Sequence, residues 1–184
     1  MRVLCILSSE HASLAENDPS SGVGASACVR ALRSRPPRGI RSGADVAKAL
    51  AMGADAVSIG QSVLMALGCN SETYTKDGQQ IDVSEEYENL GTAAGSCHHC
   101  QTGLCPVGVT TQIPDLEKRL EPEWGAHRLK NYLKTLNMEL TTLARACGKS
   151  NVHHLEREDL VALTVEAAAM AKIPLAGTSW VPGE

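Results

Sequence analysis

The 184-residue chain contains no phenylalanine, and aromatic residues make up only 3% of it. Core burial therefore rests on Leu, Val, Ile, Ala and Met rather than on rings. Positive charge is not in excess: 17 Lys and Arg stand against 21 Asp and Glu, a net charge of −4. That balance excludes a whole-chain electrostatic footprint for nucleic acid. No apolar run approaches the roughly 20 residues that cross a bilayer, so no membrane association is expected. The apolar start at Met1 to Leu7 lacks a basic region and a small-residue cleavage site, so the expected location is cytoplasmic. What is present, 43% hydrophobic and 21% charged residues, is the composition of one globular domain or most of one.

Cysteine is abundant. Seven occur, at Cys5, Cys28, Cys69, Cys97, Cys100, Cys105 and Cys147. In a chain without an export signal, clustered cysteines point to metal or redox chemistry more than to disulfides. The stretch Cys97-His-His-Cys100-Gln-Thr-Gly-Leu-Cys105-Pro106 carries most of the information. Its three thiols lie close in sequence, with Gly103 for a tight turn, and soft thiolates suit iron–sulfur clusters or zinc. Zinc sites usually add a second CxxC or an HxxxH pair, and neither follows, because His153 and His154 are adjacent and His127 stands alone. A Cys-Pro ending is familiar from iron–sulfur loops. An iron–sulfur site is the leading expectation, with zinc and a loop of inert thiols as alternatives. Adjacent side chains in a loop diverge, so at most one of His98 and His99 is expected to face the centre. Cys147 lies on an apolar helical stripe and is expected in the core.

The chain divides by pattern into residues 1–38, 39–69, 70–113 and 114–184. Residues 1–38 are atypical: a short strand at Met1 to Ser8, a stretch without period, then a run with Arg30, Arg33, Arg35 and Arg38 beside Pro36 and Pro37, best taken as a solvated linker. From Gly39 the signals sharpen. Ser42 is a suitable N-cap for a helix with Val46, Ala47, Leu50 and Ala51 at helical spacing, ended by Gly53. A strand is expected at Ala54 to Ile59, then a helix at Gln61 to Leu67 closed by Gly68. This alternation is an α/β unit of the kind that builds a parallel sheet or barrel.

Farther on, Asp77-Gly78 marks a turn and Ser84 to Leu90 a short acidic helix. Pro114 to Leu120 predicts a turn or two of helix. Glu123 to Cys147 predicts a long one, with Leu129, Tyr132, Leu133, Leu136, Leu140, Leu143, Ala144 and Cys147 as its apolar stripe and Gly148 as its cap. A last helix is expected over Arg157 to Lys172, before Pro174, with Glu156, Glu158 and Asp159 at its N-terminus. Trp124 and Trp180 are expected to anchor packing.

Gly39-Ile-Arg-Ser42-Gly43 at a helix start and Ser58-Ile-Gly60-Gln61 at a strand end suggest a phosphate cradle. In β/α barrels phosphate binds near the ends of the last two strands, on backbone N–H groups that glycine lets an anion approach.

Residues 39 to 57 (Gly-Ile-Arg-Ser-Gly-Ala-Asp-Val-Ala-Lys-Ala-Leu-Ala-Met-Gly-Ala-Asp-Ala-Val) together with 97 to 112 (Cys-His-His-Cys-Gln-Thr-Gly-Leu-Cys-Pro-Val-Gly-Val-Thr-Thr-Gln) resemble the FMN-binding domain of glutamate synthases. The resemblance covers about residues 39 to 183. It is greatest to the stand-alone branch that includes archaeal-type glutamate synthase and the N-methylglutamate synthase large subunit. It implies an α/β fold: the C-terminal part of a (β/α)8 TIM barrel with an iron–sulfur loop and a helical C-terminal extension. It implies FMN and a 3Fe-4S or 4Fe-4S cluster as cofactors, 2-oxoglutarate and glutamate as substrates, and other subunits supplying ammonia or electrons. Position by position, it implies that Gly39, Ser42, Gly43, Gly60 and Gln61 hold the FMN phosphate. Cys97, Cys100 and Cys105 match the cluster ligands, and Cys69, in Ala-Leu-Gly-Cys, stands as a fourth thiolate. It assigns no catalytic residue.

Departures accompany the match. The better-known bacterial enzymes space the first two cluster cysteines more widely, Gln61 replaces a small hydroxyl residue, and Arg38-Gly39 replaces a double glycine. Residues 1–38 do not resemble the preceding barrel strands, which suggests a shifted reading frame or a wrong gene start. A barrel needs eight strands and about 250 residues, so the isolated chain is expected to be inactive and, with open strand edges, prone to aggregate. The alternatives are an N-methylglutamate synthase or dehydrogenase subunit, and a non-catalytic cluster-binding or electron-transfer module.

Overall fold

A computed structural model describes the backbone of Cys5–Leu7 and residues 39–183 in full. In chain order the elements are β1 (Cys5–Leu7), α1 (Gly43–Ala51), α2 (Gln61–Leu67), β2 (Thr73–Lys76), β3 (Gln79–Asp82), α3 (Ser84–Asn89), α4 (Pro114–Glu117), α5 (Pro122–Ala146), β4 (Leu160–Ala162) and α6 (Val165–Ala171). The basic run Arg30 to Arg38 and Cys28 lie outside the described residues. The chain forms two compact units. One joins the described residues up to Gly60 to those from Lys134, and the other is Gln61–Leu133.

In the first unit α1 begins as its sequence predicts. Ser42 is extended, its hydroxyl accepts from the Asp45 amide, and the Asp45 carboxylate accepts from the Ser42 amide, a reciprocal capping box. Gly53 just beyond the helix has φ +98, a conformation costly for any residue with a Cβ. α1 buries Val46, Ala47, Ala49, Leu50 and Ala51 in a core with Leu136, Leu140 and Ala144 of α5. Leu155, Leu160, Ala162, Ala167, Ala168, Ala171 and Ile173 complete it. Gly43 is needed where α1 meets α5, since a Cβ there would stand 2.6 Å from Glu139 Cβ and from the Leu140 amide nitrogen.

Several expectations are corrected in this unit. The strand expected at Ala54 to Ile59 is not formed, and only Ala56 makes an isolated bridge. Small and acidic residues give this stretch little β-propensity, and a strand persists only where a partner pairs with it. The helix expected over Arg157 to Lys172 is broken into a 3-10 turn (Arg157–Asp159), β4, and α6. β4 pairs in parallel with β1, placing Cys5 opposite Leu160 and Leu7 opposite Ala162. The Thr164 hydroxyl accepts from the Ala167 amide and so starts α6 late. Glu156 and Asp159 do not flank a long helix; they cap the 3-10 turn and pair with Lys149 at 3.2 and 3.4 Å. Trp180 is exposed rather than anchoring packing.

The second unit carries a hairpin. β2 and β3 are antiparallel, Thr73 opposite Asp82 and Lys76 opposite Gln79. Asp77 and Gly78 both have positive φ (52 and 78), the signature of a type I′ turn. The turn was legible in the Asp-Gly pair; the flanking strands, short and polar, were not. α3 follows and turns the fully buried Tyr87 into a core with Val83, Cys105 and Val107, against which Tyr74, Ala94, Cys97 and Val109 pack. On α5 Leu133 is exposed, and Trp124 is exposed and stacks on His127 (5.7 Å), so neither fulfils its expected packing role.

The described strands form two separate two-stranded sheets, a mixed α/β arrangement in which no barrel is closed. Among the described residues no helix is long and apolar enough to cross a membrane.

Candidate functional site: a pocket of four thiols

Helix α2 ends at Leu67, where Gly68 takes φ +103 and its amide donates to the Met65 carbonyl, while the Cys69 amide donates to Leu64 (3.1 Å). This is a Schellman closure, and it sets Cys69 at a fixed point just past the helix. Gly95 (φ +85) turns the chain into Cys97. Cys100 opens a 3-10 turn that Gly103 ends with φ 73. The Thr102 hydroxyl donates to the His99 carbonyl (2.8 Å) and accepts from the Leu104 amide (3.2 Å), which stiffens the turn. Cys105 and Pro106 then enter the core.

These segments converge. Cys69, Cys97, Cys100 and Cys105 line one small cavity with Asn70, His99, Pro106 and Thr110. Cys105 is buried, Cys69 and Cys97 are half-buried, and Cys100 is exposed; all four are free thiols. Of the adjacent histidines, His99 lines the cavity, while His98 is exposed, its ring tilted against that of His99 with centroids 4.6 Å apart. Burial, followed by the proximity of Cys100, Cys105 and Cys97, pushes the Cys69 thiol up to about 11. Four thiolates here would repel one another, and among the described residues no Lys or Arg lines the cavity to offset them. Such a donor set suits a cationic, sulfur-preferring group. Among the described residues no group of three or more His, Cys, Asp or Glu side chains is placed to hold a metal ion.

Two supporting residues had no signal in the sequence. The Tyr87 hydroxyl donates to the Cys69 carbonyl (2.9 Å), with the Ser71 carbonyl at 3.2 Å. Burial first, then the nearby thiols, raise the Tyr87 phenol, which therefore stays protonated. Arg119 donates to the Pro106 carbonyl (2.7 Å), pairs with Glu86 and lies over the Tyr74 ring at 4.9 Å. A lone Tyr in an acidic helix and a lone Arg in a loop match no motif.

The expected phosphate residues are arranged otherwise. Gly39 and Gly60 are exposed, with no described atom within 4 Å of where a Cβ would stand. Gln61 is the exposed first residue of α2. The amides of Arg41 and Ser42 donate to the Asp45 carboxylate (3.0 and 3.1 Å), and the Gly43 amide donates to Glu139 (2.8 Å). The Ser42 and Gly43 amides, expected to meet a phosphate, thus meet carboxylates of the chain itself.

Residues 38–81 match the family described as FMN-dependent dehydrogenase, and residues 90–150 match the one described as conserved region in glutamate synthase. A glutamate synthase large subunit-like protein of Rhizobium meliloti is 56% identical over 146 residues, covering 79% of this chain and 31% of that protein. The archaeal glutamate synthase (NADPH) of Methanocaldococcus jannaschii is 39% identical over 117 residues, 64% of this chain and 18% of that protein. The archaeal-type glutamate synthase (NADPH) of Thermotoga maritima is 35% identical over 146 residues, 77% and 24% respectively. The chain therefore spans at most about a third of the length of these relatives. No solved structure matches it.

Proposed function

We propose that this chain, which belongs to the glutamate synthase family, carries the iron–sulfur site of a glutamate synthase-type oxidoreductase. The observation behind this reading is the convergence of Cys69 with Cys97, Cys100 and Cys105 around one cavity, although 27 residues lie between the first two. Those four thiols are the proposed iron ligands. Asn70, His99 and Thr110 set polar groups against the sulfur lining, where hydrogen bonds adjust a cluster's potential, and the buried Pro106 and Val107 keep water from one side.

The overall reaction proposed for the complete enzyme is the reductive amination of 2-oxoglutarate: the keto acid, ammonia, two electrons and two protons give glutamate and water. The cluster supplies single-electron transfer and FMN supplies hydride transfer when they are bound. FMN is supported by the match over residues 38–81. Gly39, Ser42, Gly43, Gly60 and Gln61 are the proposed contacts of its phosphate; of these, the Ser42 and Gly43 amides can serve once Asp45 and Glu139 release them. The name of the 56% identical relative, large subunit-like, supports partner subunits delivering ammonia or electrons.

The test is purification of the chain without oxygen, followed by iron, sulfide and flavin assays and a visible spectrum. Iron and sulfide in the wild type, and their loss from Cys97→Ser and Cys105→Ser, are expected. Stoichiometric zinc, or no metal, overturns the reading.

A further inference from the structure

The three segments that carry the thiols meet at one side chain. Tyr87 is fully buried, and its ring lies in the same core as Cys105, with Cys97 packed against that core. Its hydroxyl holds the Cys69 carbonyl at 2.9 Å, with the Ser71 carbonyl at 3.2 Å. Ring and hydroxyl thus address different segments. The ring contributes apolar packing beside the 97–105 loop, and the hydroxyl reaches the backbone on both sides of Asn70. The Schellman closure fixes where Cys69 leaves α2, and the Tyr87 hydroxyl takes the carbonyl that follows it.

Tyr87 is itself held. Its amide bonds to the Val83 carbonyl, and its neighbour Glu86 pairs with Arg119, which also grips the Pro106 carbonyl. A hydrogen bond on a ligand's own peptide orients the side chain that the ligand presents; partners that bond a ligating side chain itself change metal affinity by about 10–100-fold, and the lower end of that range sets the expectation here.

We infer that Tyr87 is a positioning residue for Cys69: its hydroxyl fixes the Cys69 peptide so that this thiol completes the ring begun by Cys97, Cys100 and Cys105. The inference rests on the cluster reading above. Tyr87→Phe keeps the ring in the core and removes only the hydroxyl, which separates positioning from packing.

The experiment uses the full chain, reconstituted with iron and sulfide without oxygen, as wild type, Tyr87→Phe, Cys69→Ser and the double variant. The rate at which a chelator bleaches the visible band is measured in each. Tyr87→Phe is expected to speed bleaching about 10-fold or more. Beside Cys69→Ser the same change is expected to add less than about twofold, because the thiol through which Tyr87 acts is gone. A purely structural tyrosine would speed bleaching equally in both backgrounds, and that result overturns the inference.

A second measurement needs no iron. In the metal-free chain Tyr87→Phe is expected to raise the alkylation rate of Cys69 relative to Cys100, read by mass spectrometry of the labelled peptides. An equal change at both cysteines overturns the inference even if the Cys69→Ser variants fail to load. A wild type that takes up no iron overturns the cluster reading, whereas a loaded wild type with additive effects overturns the role of Tyr87 alone.

Discussion

Gly43 shows how one residue type can be right for a reason its sequence context does not state. Beside Ser42 it suggests a place where an anion nears the backbone; in the fold its missing side chain admits α5. A Cβ at this position would meet the Leu136 carbonyl, Glu139 and Leu140. Gly43→Ala is therefore expected to destabilise the chain by about 1–3 kcal/mol, read from its denaturant midpoint, and an unchanged midpoint would show that the contact relaxes freely. At Lys149 the ammonium is held above 10.5 by hydrogen bonds to Glu156, opposed by desolvation, and helped by Asp159. Cys147 is raised above 9.0, chiefly by burial. Both groups keep their protons to higher pH when folded than when unfolded, so their contributions are complete below these values. They are lost as pH rises, Cys147 from 9.0 upward and Lys149 from 10.5 upward. Lys149→Met should be less stable than wild type at neutral pH, and the gap should close above about pH 10.5 in pH-dependent denaturation. A gap that stays constant would rule the ion pairs out as its source.

Among the elements, those with strong local signals formed where expected. The Ser42 capping box, the Gly68 closure and the long stripe of α5 each depend on groups within a turn or two of one another, so local chemistry sufficed. The failures share a cause as well. Residues 157–172 carry enough alanine and leucine to suggest one helix, yet Leu160–Ala162 pairs with Cys5–Leu7, far away in sequence. Ala54 to Ile59 looks apolar enough for a strand, yet within it only Ala56 makes a bridge. The hairpin offers a test at this scale, because Asp77-Gly78 dictates the turn that the polar strands follow. Gly78→Ala, at φ 78, is expected to cost about 1–2 kcal/mol, measured by denaturation. Stabilisation by alanine would mean that the turn is not held in the left-handed region.

The molecule as a whole divides after Gly60 and after Leu133, and the four thiols fall in one unit, 61–133. A ligand that binds only the folded form stabilises what it touches. Loading with iron and sulfide is accordingly expected to slow amide hydrogen exchange around residues 68–72 and 94–108, and to leave the α1 and β4 amides near their unloaded rates. Equal protection of both units on loading would show that the effect is not confined to the thiol pocket.

Residue chemistry and spacing were enough to determine that the chain is mixed α/β, that Cys97, Cys100 and Cys105 belong together, and that the chain resembles glutamate synthases. These are properties of short stretches, carried by turns, caps and a compact motif. The resemblance also named Cys69 as a fourth thiolate, and the fold brings it to the same cavity. Only the tertiary structure decided that Tyr87 and Arg119 brace that cavity, and that Asp45 and Glu139 occupy the amides of the glycine loop. Each of these depends on which distant segment arrives beside which, and spacing along a chain does not encode that meeting; packing does.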